Sequence, residues 1–319
     1  MHNMIVHQLF KSACVAGFVL ARPSLELERR SDNPLAGHGS LRVFDVNNFN
    51  SLSTGQAPDM YDIFAAEKDG CFGAIRDHSQ CTPKKRNHNI IAQNRMKTSE
   101  NIMKVPILAG TYAGDQEGSG SQFYTNQLDS LWGLLAATLE YEVYFDDDFD
   151  FAKGGKLPGV HGGDRSCSGG YKARGNDCFS TRLMWRENGE GEAYLYLPMA
   201  LQSDNFCEKC SGYSKGTTCD EMTYCSLNRA SFSFIKGQWN KIKMQVWMNT
   251  DGNQDGYWNL FHNEKLVMNE NSLTYRIDDS VPLSGMFFST FFGGGSSDYA
   301  PDYDTHIDFK GFRLTAGII

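Results

Sequence analysis

Apolar and polar positions alternate along much of this chain. In residues 139–145, Leu139, Tyr141, Val143 and Phe145 are interleaved with Glu140, Glu142 and Tyr144. That period of two is expected of a half-buried strand, whose successive side chains point to opposite faces. Residues 41–46 alternate likewise, and 102–108 is a short apolar run. Residues 179–185 and 192–197 flank Asn188-Gly189-Glu190-Gly191. This tetrapeptide supplies the positive-φ positions of a tight turn, so the two runs are expected to pair as a hairpin. Further strands are expected at 231–234, 240–248, 257–262, 265–268, 285–292 and 305–314, with a turn at 251–256. Residues 110–120 form a Gly-rich loop. The apolar run 128–137 suits either a helix or a loop leading into a strand. Short strands with regular turns and no sustained helical period predict an all-β fold. The expected form is a β-sandwich jelly roll of two antiparallel sheets with a concave cleft.

Aromatic residues at 13%, with 32 Gly and only 9 Pro, fit that class. Residues 31–98 show little periodicity beyond the first strand. They are expected to add strands and a covering loop to one body, making 31–319 a single domain with its core at about 100–314. Lys11 precedes an apolar run at 13–20, with small or apolar residues at 19–21. Residues 1–21 therefore read as a signal peptide, and the protein as secreted and extracellular. The run is shorter than the roughly 20 residues a bilayer span needs, and no other segment is long enough, so no membrane partner is expected. Arg29-Arg30 resembles the processing site of a fungal-type secreted enzyme, which would make 22–30 a pro-segment; plain surface charge explains it equally.

Of nine cysteines, Cys14 falls in the signal. An even set of eight in an exported chain implies disulfides. Local spacing suggests Cys71–Cys81 and Cys167–Cys178, leaving Cys207, Cys210, Cys219 and Cys225 to pair in one of three ways. Cys207 and Cys210 have the CxxC spacing of a zinc site, but Cys219 and Cys225 do not repeat it, and oxidising export disfavours free thiolates.

The formal net charge of −8 argues against nucleic acid as a partner. Against that background, residues 153–186 hold seven Lys/Arg and two Asp, a local excess of cations that suggests an anionic ligand. Ser180 and Arg182, then Tyr194 and Tyr196, recur at strand spacing and share a face. Removing the C5 proton of a polyuronate requires neutralising the adjacent carboxylate, a base at C5 and an acid at the leaving oxygen. Arg grips carboxylates bidentately, and Tyr or Lys can be tuned by neighbours into an acid or base. Lys156, Arg182, Tyr194 and Tyr196 are the types this task needs, with Ser180 to orient one of them. A tyrosine pair on a strand is more often cross-strand packing; the surrounding cations shift that balance.

Several runs carry a family resemblance. Phe149-Asp-Phe-Ala-Lys-Gly-Gly-Lys-Leu-Pro-Gly159 followed by Gly162-Gly163, Ser180-Thr-Arg182-Leu-Met-Trp-Arg186, Glu192-Ala-Tyr194-Leu-Tyr196 and Phe288-Ser-Thr-Phe-Phe-Gly-Gly294 resemble the motifs of polysaccharide lyase family 14. They occur in the right order over about residues 100–314. The resemblance implies a β-jelly roll, alginate or glucuronan lyase activity, and catalytic roles for Lys156, Ser180, Arg182, Tyr194 and Tyr196. His161 stands where related sequences often carry an aromatic, the loop between Cys167 and Cys178 looks like an elaboration, and Tyr299 falls where an aromatic is expected. These departures bear on substrate preference. His161, Gln122, Arg186 and Tyr299 are therefore candidate substrate contacts, although Gln122 also suits an ordinary strand position and His161 a loop cap. Gly154-Gly155 reads as a turn, with Lys156 ending a strand.

The expected reaction is β-elimination on an acidic polysaccharide by a monomer. Arg182 and Lys156 neutralise the carboxylate, and Tyr194 or Tyr196 acts as base. Lys156 is the alternative base if burial lowers its pKa. Arg and Lys supply the positive charge, so no metal or cofactor is called for. Two other classes compete. Asp146, Asp148 and Asp150 would share a strand face, as the paired carboxylates of a glycoside hydrolase do, though a turn explains them too. A lectin on the same fold would use cations and aromatics without catalysis. Asp251-x-Asn253-x-Asp255-Gly256 opens like a calcium loop, but His262 occupies its twelfth position, where an acid is required.

Overall fold

The fold follows from the alternation. In the computed structural model, residues 41–317 are described except 56, 58–59, 65–88, 114–117, 130, 132, 165–166 and 212–217. The expected signal peptide, pro-segment and Cys71–Cys81 pair lie outside the described residues. Within them the order is β1 (Leu41–Val46), α1 (Met60–Phe64), β2 (Ile90–Asn94), β3 (Lys97–Ile107), β4 (Gly120–Tyr124), β5 (Ala136–Tyr144), β6 (Gly154–Gly163), β7 (Cys178–Arg186) and β8 (Gly191–Tyr196). Then come α2 (Asp204–Cys207), β9 (Cys210–Ser211), β10 (Cys225–Leu227), β11 (Trp239–Trp247), β12 (Gly256–His262), β13 (Lys265–Leu273), β14 (Leu283–Phe292) and β15 (Thr305–Ala316).

The strands build a jelly-roll sandwich of two antiparallel sheets. One runs β13-β12-β11-β5-β15-β3-β2, with β1 also on β15; the other runs β4-β14-β6-β7-β8-β10-β9. Leu139, Tyr141 and Val143 of β5 and Phe309, Phe312 and Leu314 of β15 meet Leu157, Leu183, Trp185, Leu195, Phe288 and Phe292 of the other sheet in one buried cluster. Each residue between them on β7 and β8 therefore faces away from the core. The β7–β8 hairpin turns at Asn188 (φ 60°) and Gly189 (φ 79°), and its register sets Ser180 beside Tyr196 and Arg182 beside Tyr194.

Three features differ from expectation. Residues 231–234 form no strand; Ser233 makes only an isolated bridge to Glu190. The run 128–137 takes the second of its two expected forms: its described residues before Ala136 form no helix, and β5 begins there. β13 continues to Leu273. Most consequentially, residues 154–163 are a strand between β14 and β7, so Gly154-Gly155 is not a turn and Lys156 lies inside β6. Its glycines are there because neighbours occupy the space of a side chain. A Cβ on Gly155 would meet the Trp185 ring at 2.1 Å, and one on Gly159 would meet the Thr181 carbonyl oxygen at 1.9 Å. Register shifts between Leu157 and Val160, a bulge that accommodates Pro158, which has no N–H for the ladder. Leu157 and Val160 both reach the core, and Lys156 and His161 both turn to the other side.

The cysteine pairs are Cys167–Cys178, Cys207–Cys219 and Cys210–Cys225. Both members of the CxxC are thus engaged with different partners, which removes the thiolates a zinc site would need. The Asp251 segment is a turn in which the Asp255 carboxylate accepts bonds from the Thr250 amide (2.7 Å) and hydroxyl (2.6 Å).

Replacing Gly159 by Ala forces β6 off β7 and is expected to destabilise the fold by about 3 kcal/mol, as overpacking against unyielding backbone does. Gly295→Ala, with no atom within 4 Å of the added methyl, is expected to be near neutral. Urea unfolding of the two variants checks the contrast.

Candidate active site

The outward face of the seven-stranded sheet gathers most of the residues singled out above. β7 places Ser180, Arg182, Met184 and Arg186 there, alternating with Phe179, Leu183 and Trp185 in the core. Glu192, Tyr194 and Tyr196 come from β8, Lys156 and His161 from β6, Gln122 and Tyr124 from β4, and Phe287 and Ser289 from β14. Ser226 of β10 stands opposite Tyr194.

Arg182 is 2% exposed. Its guanidinium lies 4.3 Å from the centre of the Phe287 ring, and Nη1 donates to Ser289 Oγ at 3.3 Å. Ser289 donates in turn to Gln122 Oε1 at 3.2 Å. The Arg182 Nε is buried with no protein acceptor. A buried cation is ordinarily paired, yet among the described residues this one is held by a hydroxyl and ring faces, an arrangement suited to an incoming carboxylate. Glu192, the fully buried acid of this face, is engaged elsewhere. It receives Arg186 at 2.9 and 2.5 Å and Arg229 at 3.0 Å. Although burial pushes the Glu192 carboxyl up, the bond and charge of Arg186 hold it below its ordinary value. Arg186, expected as a substrate contact, is thus an ion-pair partner inside the sheet face.

Lys156 is 9% exposed. Its Nζ donates to Met184 Sδ at 2.9 Å and lies 3.5 Å from the centre of the Tyr194 ring. A thioether is a weak acceptor. The ring face favours the ammonium by about 1–2 kcal/mol, but burial, followed by the charges of Arg182 and Arg186, opposes it. Desolvation of a buried amine can exceed the ring's contribution, and the pKa falls well below the ordinary lysine value. Tyr194 moves the other way. Burial, then the adjacent Tyr196, raise its phenol well above the usual value, against a weaker opposing pull from Arg182. The face therefore sets an amine whose pKa burial pushes down against a phenol whose pKa burial pushes up.

Tyr196 is 1% exposed. Its hydroxyl accepts the Gly170 N–H at 3.1 Å and lies 3.4 Å from that of Tyr194. Ser180 Oγ donates to the Cys167 carbonyl at 2.7 Å. Both contacts come from the disulfide-bounded loop, which packs Cys167, Ala173 and Tyr171 against Met184, Tyr194 and Tyr196. In this geometry Ser180 anchors that loop. His161 lies 2.9 Å from the Thr125 carbonyl through Nε2, so Nε2 carries the proton. Burial lowers its pKa, and Nδ1 is left buried without a partner.

Tyr299 lies in a short turn at Ser297–Tyr299, beside Gly294 and near enough to Arg186 to act on its charge, with Lys153 5.6 Å from its ring centre and paired to Asp298. Asp146, Asp148 and Asp150 do not share a strand face; they follow β5 in a turn. Arg95 binds Asp146 at 2.8 and 2.9 Å, which corrects the carboxylate arrangement expected of a hydrolase. Sequence reasoning assigned no role to Met184, Ser289, Phe287 or Tyr224. Met184 and Ser289 lie within the motifs quoted above, and Met184 follows Arg182 at strand spacing. Tyr224 is adjacent to Cys225 and carried no periodic signal; its ring centre is 4.7 Å from that of Tyr194.

A family model described as polysaccharide lyase 14 matches residues 95–312. Among solved structures, the chain is similar to the marine PL-14 alginate lyase from Aplysia kurodai, 28% identical over 86% of this chain and 98% of that one, with a TM-score of 0.64. It is also similar to alginate lyase vAL-1 from Chlorella virus, 21% identical over 73% and 90% with a TM-score of 0.58. Alginate lyase Aly36B, solved as a mutant with alginate tetrasaccharide, is 18% identical over 88% and 97% with a TM-score of 0.60. The last two likenesses concern the fold alone. No curated protein matches the chain.

Burying an amine whose folded pKa lies below its unfolded value of about 10.4 weakens folding wherever the unfolded chain takes up a proton that the fold rejects. The penalty is complete below the folded pKa, shrinks as pH rises from there, and is gone above the unfolded one. Lys156→Met is therefore expected to raise stability at pH 7 by about 1–4 kcal/mol, with the gain shrinking toward pH 10. Thermal unfolding of both proteins across that range checks the sign.

Proposed function

We infer a mechanism for this chain, which belongs to polysaccharide lyase family 14 and is a polysaccharide lyase. Its substrate is a 1,4-linked polyuronate, cut by β-elimination outside the cell. Arg182 receives the carboxylate of the sugar whose C5 proton is removed, spreading the negative charge that develops there. The uncharged Lys156 amine takes the C5 proton, the C4=C5 double bond forms as the C4–O4 bond breaks, and the Tyr194 phenol gives its proton to O4. The products are an unsaturated uronate end and a new hydroxyl end.

One observation carries this reading. A buried lysine whose pKa is pushed well below its ordinary value stands 3.5 Å from the centre of the phenol ring, on the same face as an arginine that, among the described residues, is held by a hydroxyl and ring faces. Of the two base assignments open from the sequence, the pKa directions favour Lys156, since burial keeps the phenol protonated, able to donate a proton but not to accept one, while it makes the amine easier to deprotonate. Binding alone would need neither the uncharged amine nor the raised phenol. The likeness to the Aplysia enzyme favours alginate as the polymer; mannuronate and glucuronate differ at C2, away from the C5 proton and the C4–O4 bond. Three described disulfides support an oxidising, extracellular setting.

Alginate, polymannuronate and glucuronan incubated with the protein are expected to yield ultraviolet-absorbing unsaturated ends from at least one polymer. New reducing ends without absorbance would mean hydrolysis, and neither signal would mean a lectin. Lys156→Ala and Tyr194→Phe are each expected to lower kcat about a thousandfold, and Lys156→Arg to restore nothing, because a guanidinium stays protonated. The active lysine is the unprotonated one, so kcat/KM is expected to rise with pH through a limb centred well below the ordinary lysine value. A limb at that ordinary value would remove Lys156 as base.

A further inference from the structure

The mechanism leaves the second pair of disulfides without a task. Cys207–Cys219 and Cys210–Cys225 tie together the segment carrying α2, β9 and β10, at the edge of the seven-stranded sheet. Its approach to the site is through Tyr224. Cys225 pairs with Leu195 across the β10–β8 ladder, so the residue before it comes alongside Tyr196. The Tyr224 ring centre lies 4.7 Å from that of Tyr194, tilted 45°, and 5.5 Å from that of Tyr196. Tyr194 and Tyr196 are 8% and 1% exposed, but Tyr224 is 38% exposed. The aromatic cluster thus begins beneath the sheet face and ends in a ring open to solvent beside the proposed acid.

That ring is held from both sides. Cys225 and Met222 are buried, and Cys219 nearly so, and each of these cysteines is bonded to a residue at or beside α2 or β9. An aromatic fixed on a pinned backbone loses little entropy on binding, and its open face suits a flat apolar surface. A pyranose ring offers such a surface in its C–H groups, while its carboxylate and hydroxyls point to the rim.

We propose that Tyr224 is a stacking platform for the uronosyl unit next to the bond that is cut, and that the two disulfides hold it in place. The placement rests on the lyase reading above; the ring, its exposure and its restraint do not. Tyr224 sets how tightly the polymer is held and takes no part in proton transfer.

The test replaces Tyr224 by Ala, Phe and Trp and follows turnover of the preferred polyuronate. Ala is expected to raise KM about tenfold, the scale of one lost aromatic contact, with kcat within twofold; Phe and Trp are expected to restore KM. A fall in kcat at constant KM would mean that the ring only props Tyr194, and overturns the proposal. Binding without turnover gives a second arm. Calorimetry with uronate tetrasaccharides on the Lys156→Ala protein is expected to show about tenfold weaker binding when Tyr224→Ala is added, and equal affinities overturn the proposal. If the wild type forms no unsaturated ends but Tyr224→Ala still weakens binding, the lyase reading fails while the platform stands. Cys210→Ser/Cys225→Ser is expected to reproduce the KM rise. An unchanged KM in that variant refutes the role given to the disulfides.

Discussion

The site depends on an imbalance of charge in a buried place. Lys156, Arg182 and Arg186 share one face of a sheet, and the buried carboxylate among them, Glu192, is bound by Arg186 and by Arg229 from outside. Arginine does not release its proton in a protein. Of the cations left, lysine is the one that can yield, and burial beside two guanidiniums pushes its pKa in that direction. A carboxylate placed next to Lys156 would restore its charge and remove the base. A carboxylate next to Arg182 would fill the place the substrate is proposed to take. The position of Glu192, one strand away and already engaged, is therefore as much a part of the site as the groups it leaves alone.

Such an arrangement opposes folding and must be offset elsewhere. The offset is the aromatic core directly beneath it. Trp185 lies under β6 with its Nε1 bonded to the Phe151 carbonyl at 3.1 Å, and Phe145, Phe149 and Phe292 surround it. This packing also explains the glycines of β6. The strand carrying Lys156 is pressed onto a tryptophan on the core side and onto the backbone of β7 beside it. The bulge at Pro158-Gly159 then restores His161 to the face that Lys156 occupies, five residues earlier.

That strand marks the limit of what the sequence made legible. The β7 and β8 residues could be read because strict alternation fixes their side: Ser180 with Arg182, Tyr194 with Tyr196. β6 could not, since five glycines and a proline in ten residues look like a turn unless the ring filling the missing side-chain volume is known. The role of Ser289 depends on pairing between β14 and β4, a contact distant in sequence. Pairing among the last four cysteines was open for the same reason. The proposed exchange of roles between Lys156 and the phenols was legible only as an alternative, because it turns on burial. The family motifs located the residues, and the three-dimensional surroundings gave them their directions.

The two tyrosines illustrate this most sharply. They sit two residues apart on one strand, facing the same way, with ring centres 5.5 Å apart, and nothing in their spacing separates them. Tyr196 is covered by the loop that Cys167 and Cys178 close, and its oxygen already accepts a backbone N–H. Tyr194 lies over the lysine amine, less covered, with its phenol raised by burial and by Tyr196 itself. In the proposed mechanism one ring therefore stiffens the site and raises its neighbour's pKa, and the other is the one that gives up a proton. The loop packs against both rings, but its Gly170 N–H is bonded to the Tyr196 oxygen, and that bond is what separates the two in the proposed division into support and acid. The Ser180 hydroxyl, bonded to that loop at Cys167, fixes where the covering ends.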